Sequence, residues 1–110
     1  MKYYVNTKDV KAIETTGQTV YKLLNEINGC SGGCYTGITI YALSEYMTPG
    51  IHDDQEGFVV LEGTGWALVG DEEFRIEPEM SFIVPARTRH SIKREIGAEY
   101  VKVFWFHCAI

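Results

Sequence analysis

From Tyr35 onward the chain is cut every few residues by a turn former, and the pieces between are short and apolar. Ile38, Ile40 and Ala42 alternate with Thr39 and Tyr41, the period-two pattern of a half-buried strand. Phe58 to Leu61 is an apolar run that stops at the turn Glu62-Gly63-Thr64-Gly65. Trp66 to Val69 meets Gly70-Asp71, and Glu72 to Ile76 returns, which predicts a hairpin. Pro78 ends that strand, and Ser81 to Val84 opens another that stops at Pro85, since proline cannot donate to a central ladder. Tyr100 to His107 closes the series as a hydrophobic strand. Six or more short strands at this spacing predict an all-β sandwich or barrel.

The length of 110 residues suits one compact domain, expected over 1–110, that buries roughly two thirds of its unfolded surface. A net charge of −5 argues against a nucleic-acid partner, because binding phosphate needs a basic face. The first sixteen residues are interrupted by Lys2, Lys8, Asp9, Lys11 and Glu14, so they hold no apolar export segment. The longest apolar runs are far too short to span a bilayer as a helix, and no membrane association is expected. Three cysteines, Cys30, Cys34 and Cys108, do not form a disulfide framework. A cytoplasmic location is the default expectation.

The N-terminal third is less informative. Val20, Leu23, Leu24 and Ile27 have the spacing of an amphipathic helix with Thr19 as its cap, yet Thr19 to Asn25 reads equally as a strand. Asn28-Gly-Cys-Ser-Gly-Gly-Cys34 is a loop by composition, and its two cysteines are spaced more widely than a redox pair.

Chemistry concentrates in Pro49-Gly-Ile-His-Asp-Asp-Gln-Glu-Gly57. His52 and Glu56 lie four apart, so on a strand both point to one face. His90 follows 38 residues later, just past Pro85. Two neutral imidazoles and one carboxylate form a common donor set for Zn, Fe(II), Mn or Ni. The plain alternative makes His52 and Glu56 solvated loop residues and His90 a turn residue. Asp54 offers a second register, His52-x-Asp54 with His90, although a simple loop role suits it as well.

The run Pro-Gly-x-His-x3-Glu-x6-Gly, an acidic hairpin and then Pro-x4-His resembles the two motifs of the cupin superfamily, over residues 36–107. The resemblance implies a double-stranded β-helix, or jelly-roll, barrel preceded by a short N-terminal extension. It also implies that His52, Glu56 and His90 occupy ligand positions for a divalent transition metal, with Gly50 standing where the family has a further histidine. Glu79 and Arg87 stand where the second motif usually carries glycine, and Arg94 where it carries asparagine.

Tyr41, Asp54, Phe58, Val60, Trp66, Phe82 and His107 are the candidates for core and pocket walls, with Phe58 and Val60 sharing the face of His52 and Glu56 by parity. His107 reads either as a pocket wall or as a histidine at the frayed end of the chain. Arg87 and Arg89 could meet an anionic substrate group or lie on the surface, and Asp71-Glu72-Glu73 is a solvated turn. The expected partner is a small molecule. The expected activity is that of a metal-dependent enzyme of dioxygenase, isomerase, decarboxylase or lyase type. The alternative is a metal-free barrel that binds or senses a small ligand without turnover. Resemblance to cupins also implies a homodimer.

Overall fold

The computed structural model describes residues 2–108. Nine strands make up its regular structure: β1 (Ile13–Thr15), β2 (Gln18–Lys22), β3 (Tyr35–Tyr41), β4 (Gln55–Gly63), β5 (Gly65–Val69), β6 (Glu72–Ile76), β7 (Ser81–Val84), β8 (His90–Arg94) and β9 (Val101–Cys108). Two one-turn 3-10 segments, Thr7–Asp9 and Glu26–Asn28, are the only helical pieces among the described residues. Six strands form one sheet in the order β1-β2-β3-β9-β4-β7, and three form another, β6-β5-β8. All named pairs are antiparallel, as a jelly-roll barrel requires. No helix among the described residues is long and apolar enough to cross a membrane.

The central pair of the large sheet is β4 with β9. On β9, Val101, Val103, Trp105 and His107 are buried while the residues between them are only half-buried. Opposite residues of an antiparallel pair share a face. Val60 faces Val103, Phe58 faces Trp105 and Glu56 faces His107, so all these side chains point into the barrel. Ala67, Ile76, Val84 and Ile92 complete the core around them. The interior is therefore apolar through its middle and ionisable at the end where Glu56 and His107 stand.

Turns move the chain between sheets. Gly63 ends β4 with φ +76, a left-handed conformation, and a Cβ there would collide with the Tyr100 carbonyl, so only glycine fits. Gly70-Asp71 closes the β5–β6 hairpin, as the sequence predicts. Glu79 (φ 75) and Arg87 (φ 57) also adopt the left-handed conformation. Those are the positions at which the motif usually has glycine, so the backbone shape is kept although the residue is not.

The structure decides between the two readings of the 19–27 stretch and shows which face of β3 turns inward. Residues 18–22 form a strand, and the only helical turn in the 19–27 stretch begins at Glu26. Pairing with β3 from Gln18↔Tyr41 to Lys22↔Gly37 satisfies the backbone of this segment, and helical spacing of its apolar residues does not override that. On β3, the face toward the barrel carries Tyr35, Gly37, Thr39 and Tyr41, which pair with the inward residues of β9. Ile38 and Ile40 lie on the opposite face, where Ile38 is buried beside Tyr21 and Phe104. Thr39 is accepted inside because its hydroxyl takes a hydrogen bond from Trp105 Nε1 at 2.8 Å.

Candidate metal centre

Glu56 lies near the start of β4, 8% exposed, with three histidine rings around its carboxylate. His52 Nε2 is 3.0 Å and His90 Nε2 3.2 Å from Oε1, and His107 Nε2 is 3.3 Å from Oε2. The three rings reach this point by different routes. His107 comes from β9, directly opposite Glu56. His90 opens β8 and forms an antiparallel bridge with Gly50, through hydrogen bonds of 2.9 and 3.0 Å. His52 lies in the loop ahead of β4 rather than on a strand, so the expected same-face spacing is not what aligns it. Its loop is held by the Gly50–His90 bridge and by the Arg87 N–H, which donates to the His52 carbonyl at 2.7 Å.

The far nitrogens of the rings are occupied too. Asp54 receives His52 Nδ1 at 2.7 Å on Oδ1 and His107 Nδ1 at 2.9 Å on Oδ2. His52 Nδ1 also lies 3.2 Å from the Asp54 carbonyl. His90 Nδ1 is 3.1 Å from the Thr88 carbonyl. These partners only accept, and so does the Glu56 carboxylate at each Nε2, so a neutral ring can donate on one side only. With Nδ1 donating, Nε2 is a lone pair that faces the carboxylate with no proton between them. Lone pairs crowded together at 3.0–3.3 Å repel unless something positive lies among them, either an added proton or a cation.

Distances separate the two carboxylates. The 2.7 and 2.9 Å contacts at Asp54 are hydrogen-bond lengths. The 3.0 and 3.2 Å spacings of His52 and His90 from Glu56 Oε1 match the separation of about 3.0–3.4 Å between donors that each lie about 2.1 Å from one ion, whereas His107 meets the other carboxylate oxygen. The donor set thus fits a divalent cation at Glu56, with Asp54 orienting the rings. Two overlapping groups have the donor spacing for a metal, namely His52 with Glu56 and His90, and His52 with Asp54 and His107.

Charges follow the same pattern. Burial alone would lower the His90 pKa, but its hydrogen bonds to Glu56 and the Thr88 carbonyl outweigh that and hold it above 6.5. At Asp54 burial opposes ionisation, yet the hydrogen bond from His107, its charge and the proximity of His52 keep the carboxyl below its usual range. Burial, reinforced by the negative charge of Glu56, pushes the Tyr41 phenol well up.

Two cavities flank the cluster. One of about 180 Å³ is lined by Tyr41, Met47, Gly50, His90 and Ile92 among others. A Cβ built on Gly50 would lie 3.6 Å from His90 Nε2, so the place of the missing family histidine opens directly onto the centre. The other, about 610 Å³, reaches the cluster through Asp54 and is walled by Leu24, Cys30, Cys34 and Tyr35.

The remaining candidates are distributed as follows. Tyr41 lines the smaller cavity and Asp54 the larger. Phe58 and Val60 are core, sharing the face of Glu56, and Phe82 stacks on Phe58 with centroids 4.7 Å apart. Trp66 is half-buried, with its side chain on the opposite face of β5 from the core residue Ala67, and lines neither cavity. Arg87 and Arg89 are exposed and line neither cavity, whereas Glu73 in the acidic turn accepts a hydrogen bond from Tyr46 at 2.7 Å. The reading of His107 as a frayed terminal residue is wrong, because the residue is 7% exposed and its ring forms part of the cluster. Tyr35, which stacks on His107 with centroids 4.1 Å apart, had no distinguishing mark in the sequence.

The family described as Cupin domain matches residues 38–107. No curated protein sequence matches the chain. Among solved structures, the polyketide cyclase RemF from Streptomyces resistomycificus is similar, with a TM-score of 0.80 and 19% identity over 98% of this chain and 80% of that one. KdgF from Halomonas sp. has a TM-score of 0.75 at 14% identity, covering 100% and 96%. Hydroxypropylphosphonic acid epoxidase from S. wedmorenis has a TM-score of 0.82 at 13% identity, covering 94% of this chain and 58% of that one. At such identities the likeness is one of fold.

Proposed function

This chain belongs to the cupin family, and we propose that it holds one divalent transition metal ion at His52, Glu56 and His90 and presents it to a small molecule. The observation that carries the reading is the convergence of His52 Nε2 and His90 Nε2 on Glu56 Oε1, with both Nδ1 atoms already engaged by acceptors. The structural likeness extends to HppE in its iron(II) form, which supports the capacity of such a barrel for an ion of this kind. When bound, the ion would polarise a carbonyl or activate water or dioxygen.

The surrounding residues supply the rest. Asp54 and the Thr88 carbonyl fix which nitrogen of each ring faces inward. Phe58 underlies the centre, its ring 6.3 Å from that of His90, and closes it from below with apolar surface. The cavity of about 610 Å³ has the volume of a small-molecule site and meets the cluster at Asp54. Burial of Glu56 among apolar residues strengthens any charge interaction between the centre and a bound substrate.

Elemental analysis of untagged protein, purified without chelator, tests this. About one equivalent of Zn, Fe, Mn or Ni per chain is expected, either as purified or after addition, and His90→Ala should lower it. No uptake of any of the four would refute the reading. A second reading, a barrel that holds a small ligand without metal, is favoured by Gly50, which leaves an opening where the family has a donor. In that case chelator-treated protein would retain its ligand in full.

A further inference from the structure

We propose that His107 on β9 supplies the donor that Gly50 cannot, with Asp54 as the residue that aims it. The inference rests on the metal reading above and adds a third imidazole to it. His107 is 51 positions from Glu56 in sequence but directly opposite it in the β4–β9 ladder, so both side chains enter the barrel at one level. Its Nε2 stands 3.3 Å from Glu56 Oε2, whereas His52 and His90 meet Oε1, so His107 would join them through the second oxygen of the same carboxylate.

The ring is fixed in that pose from three sides. Tyr35 stacks on it at an interplanar angle of 6°. Trp105 meets it edge-on, with centroids 5.5 Å apart. Asp54 holds Nδ1 at 2.9 Å while its other oxygen holds His52 Nδ1 at 2.7 Å. One carboxylate therefore sets the tautomer of two rings at once and turns both Nε2 atoms toward Glu56. A side chain at position 50 would enter beside His90, whereas His107 enters from the β9 side, so the lost donor is replaced from a different strand. The rival arrangement places the ion among Asp54, His52 and His107 instead, with Glu56 and His90 outside it.

X-ray absorption at the Zn edge of the loaded protein counts the imidazoles, and chelator competition measures affinity. Wild-type protein should show three imidazoles. His107→Asn keeps an N–H where Nδ1 was and removes the nitrogen at Nε2. It should show two imidazoles and bind Zn at least tenfold more weakly. Asp54→Asn should keep three imidazoles and lose about 10–100-fold in affinity. Gly50→His in the His107→Asn background should return the count to three, since the nearest atom to a Cβ at position 50 is 3.5 Å away.

Two imidazoles in wild type, unchanged by His107→Asn, would overturn this inference and leave the metal reading intact. No Zn bound by wild type would overturn both. Zn lost on Asp54→Asn but unaffected by His90→Ala would place the ion in the rival group and also overturn both. The wild-type count needs no variant, so a misfolded mutant does not protect the proposal.

Discussion

Phe58→Ala separates the stability of the barrel from the chemistry at its end. Phe58 is 2% exposed, stacks on Phe82 and sits two residues after Glu56 on the same face of β4. An aromatic side chain buries about 150–250 Å², and at about 25 cal/mol per Å² its removal forfeits about 4–6 kcal/mol before allowing for the alanine that remains. Measured Phe→Ala changes in cores run at about 3–5 kcal/mol, a large fraction of the 5–15 kcal/mol that holds a domain together. Chemical denaturation followed by tryptophan fluorescence should therefore show a loss of about 3–5 kcal/mol with the slope unchanged. Glu56 itself is held by pairing with Val84 on β7 and His107 on β9, neither of which needs the Phe58 ring. The folded variant should thus keep its metal affinity to within about tenfold, as no donor or orienting group is removed. A loss below about 1 kcal/mol would refute the packing argument. Complete loss of metal from a folded variant would refute the claim that the strand ladders position the donors.

Three further outcomes follow from particular contacts. Metal affinity should fall as pH drops, because a proton on His90 Nε2 excludes the ion. His90 is held above 6.5 without metal, so the decline begins above that value and approaches about tenfold per pH unit below it, measured by competition titration. An affinity that is flat through this range would rule out histidine ligation. Arg87→Gly should raise the melting temperature by a few degrees: relief of about 1–2 kcal/mol of left-handed strain outweighs the extra freedom glycine gives the unfolded chain. A fall would show that the arginine side chain contributes to stability. Thr39→Val should cost about 1–3 kcal/mol in denaturant titration, since it leaves the buried Trp105 N–H without its acceptor. A neutral result would mean that water reaches that indole.

What could be read from the sequence follows the range of the interactions concerned. The hairpin at Gly70-Asp71 and the strands ending at Gly63 and Pro85 are set by local turn chemistry, so the segments announce themselves. His52, Glu56 and His90 stand out because a spaced motif links them, although His52 reaches the centre from a loop. The part played by His107 depends on the β4–β9 register, which joins residues 51 positions apart and leaves no periodic trace. Position near the chain end argues for fraying, and the Tyr35 stack that prevents it is equally nonlocal. The inward face of β3 has the same origin: Tyr41 shares it with Thr39, whose hydroxyl accepts a hydrogen bond from Trp105 on β9. The residue types of Glu79 and Arg87 give no sign of their left-handed backbone, and only their place at glycine positions of the motif points to it.

Anomalous diffraction from crystals of protein never exposed to chelator, recorded on either side of the Zn, Fe, Mn and Ni edges, tests the central claim most directly. The account predicts one peak within bonding distance of Glu56 and of Nε2 of His52 and His90. A peak beside Asp54 and the Nδ1 atoms, or none at any edge after soaking in each metal, would contradict it.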